Sequence, residues 1–205
     1  MFLDIPDKNL HVNCSLIEYQ YFKDYEDRRL FLDSEIEANG DGSIAELKER
    51  IMNYNRDDKG IKPKERKPIL LFINSPGGDV QEGFSLVSFM SLSKTPIYTV
   101  NIGLWASMSF LIGIAGHKRF SLPNMTFLMH DGLSVAWGST SKVQDQIEFS
   151  KRYDSEVVKK HVLQHSTMKE CDYDALSRVE LYMLPKDALE HGFIDEIITD
   201  IDTIL

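Results

Sequence analysis

The run of five apolar residues at positions 69–73 (ILLFI) constrains the fold of this chain more than any other feature. A strand that is apolar on both of its alternating faces must be covered on both, which is typical of a parallel sheet between layers of helices. The run ends at the turn sequence NSPGGD (74–79), and residues 80–92 then carry apolar side chains at helical spacing. This strand–turn–helix unit predicts an α/β fold.

The same alternation of strand and helix continues along the chain. Further strands are predicted at residues 29–36, 96–102, 126–130 and 193–198, and helices from Ser43, over 105–115, over 140–165, near 172–179 and over 185–191. NGDG (39–42) predicts a turn, the charged segment 55–68 predicts an exposed loop, and AGHKR (115–119) a loop between elements. We therefore expect a mostly parallel sheet with flanking helices.

Charge and hydropathy bear on the partners that the chain can have. Its 205 residues suit one domain, and its net charge of −9 argues against nucleic acid, whose phosphates need a basic surface. Residues 95–116 carry no charge and are long enough to cross a bilayer. They contain Pro96, Asn101 and three glycines, however, and divide into a strand-like and a helix-like half, so we expect no membrane segment.

Cysteine use and the N-terminus indicate the compartment. Cys14 and Cys171 provide neither a disulfide framework nor metal-ligand spacing, which fits a reducing compartment. The first residues are acidic where a secretion signal needs an apolar run. We therefore expect a cytoplasmic protein.

Three features could carry chemistry, and each has an ordinary structural alternative. The glycines of SPGG (75–78) can present bare N–H groups to a carbonyl oxygen, or can simply form a strand-to-helix turn. Ser107 lies where a strand gives way to a helix, whose N-terminus favours a developing oxyanion, or it can be a small capping residue. His130 ends a strand and is the residue type of a general base, or it can be a hydrogen-bonded edge histidine.

The other histidines are weaker candidates. His161 and His165 are four residues apart on a charged helix without a third ligand nearby, so we expect a solvated helix face rather than a metal pair. The sequence predicts no metal site and contains no GxxxxGK[ST] nucleotide-binding loop.

In this order, the motifs INSPGGDVQEG (73–83), WASMSF (105–110), AGHKRFSLPN (115–124) and a strand ending in MH (129–130) resemble the Clp protease proteolytic subunit (ClpP) family. The resemblance spans about residues 28–198. It implies a serine peptidase of the ClpP/crotonase fold that needs no cofactor, with subunits in two stacked seven-membered rings around a chamber. It also implies that a Clp-type AAA+ ATPase unfolds polypeptides and feeds them into that chamber.

The resemblance further implies a division of the chain and roles for its residues. Residues 1–27 would be a divergent N-terminal segment in the region of the axial pore, and residues 28–205 a single peptidase domain. Ser107 matches the nucleophile and His130 the general base. The backbone N–H groups of Gly78 and Met108 match the oxyanion hole.

The triad carboxylate departs from the family pattern. Counting back from PKDALEHGFID (185–195) puts Glu180, one methylene longer, at the position of the family's aspartate. Asp131 competes for the role, but a residue directly after His130 on a strand points to the opposite face. Asp172 and Asp174 remain alternatives.

Substrate preference and assembly are also implied by the resemblance. Leu70 and Phe72 share one side of a strand near the SPGG turn, where the family's P1 pocket lies, so an apolar residue is expected before the scissile bond. The helix over 140–165 matches a protruding handle helix at which two rings meet, and a solvated helix covering the sheet is the alternative. Its sparse apolar stripe consists of Val143, Ile147, Val157 and Val162.

Two other functions share part of this pattern. A crotonase-like enzyme acting on acyl-CoA thioesters would share the fold and the oxyanion hole but not the Ser–His pair. A ring subunit without activity would keep only the assembly. The changed carboxylate and the Asp-Gly after His130 keep this second alternative open.

Overall fold

The computed structural model of the protein describes residues 16–38, 43–132, 135–176 and 179–204. The first fifteen residues of the expected N-terminal segment and the NGDG turn at 39–42 lie outside this part of the chain. Residues 16–27, whose sequence has no clear period, form a helix.

Strands and helices alternate along most of the chain. In chain order they are α1 (Leu16–Asp27), β1 (Arg29–Leu32), α2 (Ser43–Asp57), β2 (Ile69–Ser75), α3 (Val80–Leu92), β3 (Ile97–Ala106), α4 (Met108–Ile114), β4 (Lys118–Ser121), β5 (Thr126–Met129), α5 (Thr140–Tyr153), α6 (Lys159–Gln164), α7 (Glu170–Leu176), β6 (Leu181–Met183), α8 (Pro185–Glu190) and β7 (Glu196–Ile197). A π-helical turn, Asp154–Val158, joins α5 to α6. Short 3₁₀ helices cover Pro63–Glu65 and Ile201–Ile204.

The strands form one mostly parallel sheet, which confirms the predicted fold class. Its order is β1-β2-β3-β4-β7, and β5 pairs with β3 and with β6. Only the β5–β6 pairing is antiparallel among the described strands. The long strand β3 has two partners on one edge, since its first half pairs with β4 and its second half with β5.

Strand β2 is covered on both faces, as its continuous apolar run predicts. Ile69, Leu71 and Ile73 are fully buried in the main core. The other face carries Leu70 and Phe72, which belong to a second, smaller cluster. The buried members of that cluster besides Phe72 are Val100, Phe120, Ile198 and Ile204.

Two element boundaries differ from the sequence prediction. Trp105 and Ala106, expected in a helix, belong to β3, because that end of the strand pairs with β5 in the register Trp105↔Phe127. The segment expected as a loop at 115–119 contains the start of β4. Arg119 in this strand is compensated by Asp195, whose carboxylate accepts from its guanidinium and its backbone N–H. The sequence pattern did not predict β4, because its first two residues, Lys118 and Arg119, are charged and are typical of an exposed loop.

The segment expected as an exposed loop at 55–68 is anchored by a buried carboxylate. Asp58 is 2% exposed and accepts two hydrogen bonds of 2.7 Å from Arg28. Thr95 donates a third at 2.8 Å, and Arg66 donates to the Thr95 hydroxyl. The hydrogen bonds from Arg28 lower the pKa of Asp58 against the opposing effect of burial. The segment is therefore tied to the start of β1 and to the turn before β3.

The predicted long helix over 140–165 exists, with the π-helical turn inside it. None of the side chains of α5, all of which the structure describes, is buried, whereas α6 buries His161 and Val162. The expectation that His161 is solvated is wrong: its Nε2 donates to the Leu111 carbonyl at 2.8 Å, and burial lowers its pKa to about 4. In the described part of the chain, no helix has the length and apolar character needed to span a bilayer.

Candidate active site

The SPGG turn after β2 is held in place by an extension of β1. Ile36 donates to the Gly77 carbonyl at 2.7 Å, and the Asp79 N–H donates to the Ile36 carbonyl at 2.7 Å. Gly77 (φ 94°) and Gly78 (φ 138°) adopt a backbone that only glycine enters readily. A Cβ on Gly78 would lie 2.1 Å from the Ile36 oxygen. The turn thus requires glycine at both positions.

Ser107 forms a strained turn between β3 and α4. Its φ of 55° and ψ of −123° are unusual for a residue with a side chain and cost about 1–3 kcal/mol. Hydrogen bonds on both sides fix this conformation, because its N–H donates to Leu128 at 3.0 Å and its carbonyl accepts from Phe110 at 3.1 Å. A sharp strand-to-helix turn of this kind exposes a nucleophilic side chain at the end of a sheet.

The two turns are in direct contact. A Cβ built on Gly77 would lie 2.8 Å from the Met108 nitrogen and 2.8 Å from the Ser107 Cβ. Two hydrogen bonds of the Ser109 hydroxyl maintain this approach: it donates to the Ser75 carbonyl at 2.6 Å and accepts from the Ala106 N–H at 2.9 Å. Sequence reasoning missed Ser109, although it lies within the WASMSF motif.

The predicted oxyanion donors flank this contact. Gly78 belongs to the first turn, and Met108 is the first residue of α4. The backbone N–H groups of Gly78 and Met108 donate to no acceptor in the described part of the chain. Two free N–H groups near one serine can stabilise the negative oxygen of a tetrahedral intermediate.

Ser107 and His130 line the same cleft. His130 follows β5, which pairs with the end of β3, so the sheet brings the histidine next to the serine turn. The rest of the cleft is mostly apolar, with one carboxylate, Asp154, that the sequence analysis did not select. Besides Ser107 and His130, the cleft is lined by Val80, Met108, Phe110, Leu111, Met129, Gly132, Asp154, Val158, Val162 and Tyr173.

Glu180 directly precedes β6 and is not among the residues that line the cleft. The antiparallel register pairs Met129 with Leu181, and continuing it by one step would put Glu180 opposite His130. Residues directly opposite each other point to the same face of a sheet. Glu180 is exposed, and its charge raises the pKa of Tyr182, two residues along the same strand.

Three other predicted residues have different surroundings. Leu70 and Phe72 pack in the second cluster, and neither lines the cleft that contains Ser107. Asp131 is exposed; partial burial, followed by the negative charge of Asp131, raises the pKa of Asp154. The P1 pocket at Leu70 and Phe72 thus stays a prediction. The apolar side chains that line the same cleft as Ser107 lie closer to the serine turn.

The described residues favour covalent acyl transfer. A serine, a histidine and two N–H groups without an acceptor are the kinds of group that attack on an amide or ester carbonyl needs as nucleophile, base and oxyanion site.

Comparison with known proteins agrees with this geometry. The family model described as Clp protease matches residues 25–201. The chain is 34% identical over 136 residues to the "ATP-dependent Clp protease proteolytic subunit" of Streptococcus mutans, covering 64% of this chain and 68% of the relative. It is 34% identical over 139 residues to "proteolytic subunit 2" of Thermobifida fusca (65% and 66%), and 36% identical over 138 residues to "proteolytic subunit 1" of Prochlorococcus marinus (64% and 68%). The chain belongs to the Clp protease family.

Proposed function

We propose that this chain is the proteolytic subunit of an ATP-dependent protease and hydrolyses peptide bonds with Ser107 as nucleophile. The carrying observation is the strained Ser107 turn, which shares a cleft with His130 and lies against the turn that contains Gly78. Family membership and the names of the relatives support the same activity.

The reaction follows from the chemistry of these groups. His130 takes the Ser107 proton as the hydroxyl attacks the peptide carbonyl, and the N–H groups of Gly78 and Met108 stabilise the oxyanion. His130 then protonates the leaving amine, which breaks the C–N bond and leaves an acyl-enzyme. Water activated by His130 releases the acyl group and restores Ser107. Glu180 orients the imidazole and stabilises its positive charge.

The assembly is proposed to be two stacked heptameric rings that work in the cytoplasm. Helix α5 has no buried side chain and carries Ile147 and Phe149, which are 45% and 53% exposed, as expected of an element that another subunit covers. A Clp-type ATPase would deliver unfolded polypeptides, since the relatives are named as subunits of ATP-dependent proteases.

A fluorophosphonate probe and a fluorogenic peptide test this function together. The wild-type chain should be labelled and should hydrolyse the peptide, and both signals should disappear in Ser107→Ala. Ser91→Ala, which removes an exposed hydroxyl bonded only within α3, is the matched control and should retain both.

The same pair of measurements separates the alternatives. Absence of labelling would favour a crotonase-like acyl-CoA enzyme. Labelling without any peptide hydrolysis, even with a Clp-type ATPase present, would favour an inactive ring subunit. Labelling that persists in Ser107→Ala would exclude Ser107 as the nucleophile.

A further inference from the structure

Asp154 is the one carboxylate among the residues that line the described cleft. It is the first residue of the π-helical turn between α5 and α6. That turn continues to Val158, which lines the cleft as well. Asp154 therefore presents a negative charge beside apolar walls, next to the serine turn.

The Asp154 carboxylate has no hydrogen bond or ion pair in the described part of the chain. The cation that acts on it is Lys159, but the ammonium group of Lys159 is already paired with Glu170 at 2.8 Å and with Asp174 at 2.7 Å. Asp154 is solvent-accessible, so a bound molecule can reach it. The charge is available to a ligand.

The surroundings strengthen the negative potential at this point. Partial desolvation, followed by the charge of Asp131, raises the pKa of Asp154. Burial, followed by the charge of Asp154, raises the pKa of Tyr173 in the same cleft to about 12. A cationic side chain of the substrate would reduce the repulsion between the Asp131 and Asp154 carboxylates.

We propose that Asp154 determines substrate specificity, selecting polypeptides that place a lysine or arginine side chain in the cleft beside Ser107. A long aliphatic stem packs against the apolar walls while its cationic head reaches the carboxylate. A glutamate in the same place meets a like charge. This inference rests on the proposed peptidase function, and at the position that enters the cleft it replaces the apolar preference by a preference for a long side chain with a cationic end.

Binding to the Ser107→Ala variant tests the preference without requiring catalysis. Otherwise identical labelled peptides carry lysine, its uncharged near-isostere norleucine, or glutamate at one position, moved through the two residues on each side of the scissile bond. At the position that enters the cleft, lysine should bind about tenfold tighter than norleucine, the magnitude of one charge-assisted contact. Asp154→Asn should bring this ratio close to one, and Asp154→Lys should favour glutamate.

Asp145→Asn removes an exposed carboxylate on α5 and is the matched control, which should leave the ratio unchanged. The proposal is overturned if lysine has no advantage at any position, or if the advantage survives Asp154→Asn. Hydrolysis of the norleucine peptide by the wild-type chain tests the peptidase function separately, so failure of one result is distinguishable from failure of the other.

Discussion

Gly77 and Ser107 approach so closely that neither turn can change without moving the other. A side chain at Gly77 would meet the Ala106 carbonyl at 2.6 Å as well as the Met108 nitrogen. The distance between the proposed oxyanion donors, the Gly78 and Met108 N–H groups, therefore depends on the absence of a Cβ atom at Gly77. Displacements of about 1 Å at such a site cost on the order of 10²-fold in rate.

Gly77→Ala should reduce kcat/KM by about 10²-fold or more, because Met108 and Ser107 must shift to accommodate the methyl group. Gly60 provides the control, since its φ of 98° resembles that of Gly77 but no atom lies within 4 Å of its Cβ position. Gly60→Ala should lower stability by about 1–2 kcal/mol, the cost of a side chain at positive φ, and leave peptide hydrolysis unchanged. Equal loss of activity in both variants would show that backbone strain, rather than the close contact, matters.

The identity of the carboxylate proposed to orient His130 is a second question at the residue scale. The sheet register, continued by one step, favours Glu180, whereas Asp131 follows His130 beyond the end of β5. Glu180→Ala should lower kcat by up to about 10⁴-fold, as loss of an orienting carboxylate does in other triads. Glu180→Asp should retain some activity, and Asp131→Ala should be mild.

Steady-state hydrolysis of a fluorogenic peptide by the three variants gives the ranking, with particle mass as the control for assembly. A reversed order, with Asp131→Ala the damaging change, would reassign the role to Asp131. Unchanged hydrolysis in both Glu180→Ala and Asp131→Ala would indicate a Ser–His dyad or a role for Asp172 or Asp174.

Among the elements, α6 packs on α4, the helix that follows Ser107, through one histidine. The His161 Nε2–H can donate to the Leu111 carbonyl from either the neutral or the protonated ring. Burial disfavours the charge of the protonated ring, so the folded chain holds the neutral ring. The pKa of His161 is lowered to about 4 from an ordinary value near 6.5. The unfolded chain therefore binds this proton more readily than the folded chain.

The stability that His161 contributes should be complete above pH 6.5 and should be lost as the pH falls from 6.5 to 4. The loss should approach about 3 kcal/mol. Urea denaturation across this range should give a flatter pH dependence for His161→Gln, which keeps a donor but does not titrate. His191→Gln is the control, and an identical slope in wild type and His161→Gln would contradict the prediction.

Elements with strong local patterns could be predicted from the sequence, and those stabilised by distant charges could not. The ILLFI strand, the SPGG turn and the helix after it follow directly from apolar runs and glycines. Strand β4 could not be predicted, because the charge of Arg119 is compensated by Asp195, which is distant in the sequence. The burial of His161 could not be predicted either, because it depends on how α6 packs against α4.

The residues of the candidate site also fall into those that the sequence predicts and those that it does not. Ser107, His130 and Gly78 stand at element boundaries that sequence patterns mark, and the sheet brings the first two to one cleft. Asp154 has no such mark in the sequence: it is one of four acidic residues in the charged segment 140–165, and only the three-dimensional packing brings it to the cleft. Leu70 and Phe72 have the right strand spacing, but spacing does not tell which cluster covers that face.

For the whole molecule, α5 and the segment before it form an exposed apolar surface. Val135 and Trp137 are 71% and 80% exposed, and Gln146 ties the Trp137 backbone to α5 through both its N–H and its carbonyl. Together with Ile147 and Phe149 these residues provide a surface that a second copy can cover. Exposed apolar patches of this kind mark interaction sites.

Ile147→Glu should separate the proposed double ring into single rings, because it buries a charge between two apolar surfaces. Analytical ultracentrifugation should then show half of the wild-type mass. Ile61→Glu introduces the same charge at a similarly exposed residue (43%) outside α5 and should keep the full mass. An unchanged mass for Ile147→Glu would mean that the rings meet elsewhere.

The π-helical turn at Asp154–Val158 holds one residue more than an α-helical turn, because the Lys159 N–H donates to the Asp154 carbonyl five positions back. The extra residue is taken up inside the turn, so α5 and α6 keep the relative phase of one continuous α-helix. Deleting one residue within the turn should therefore leave His161 and Val162 buried. Inserting one residue between Lys159 and His161 should instead rotate both side chains by about 100° and expose them.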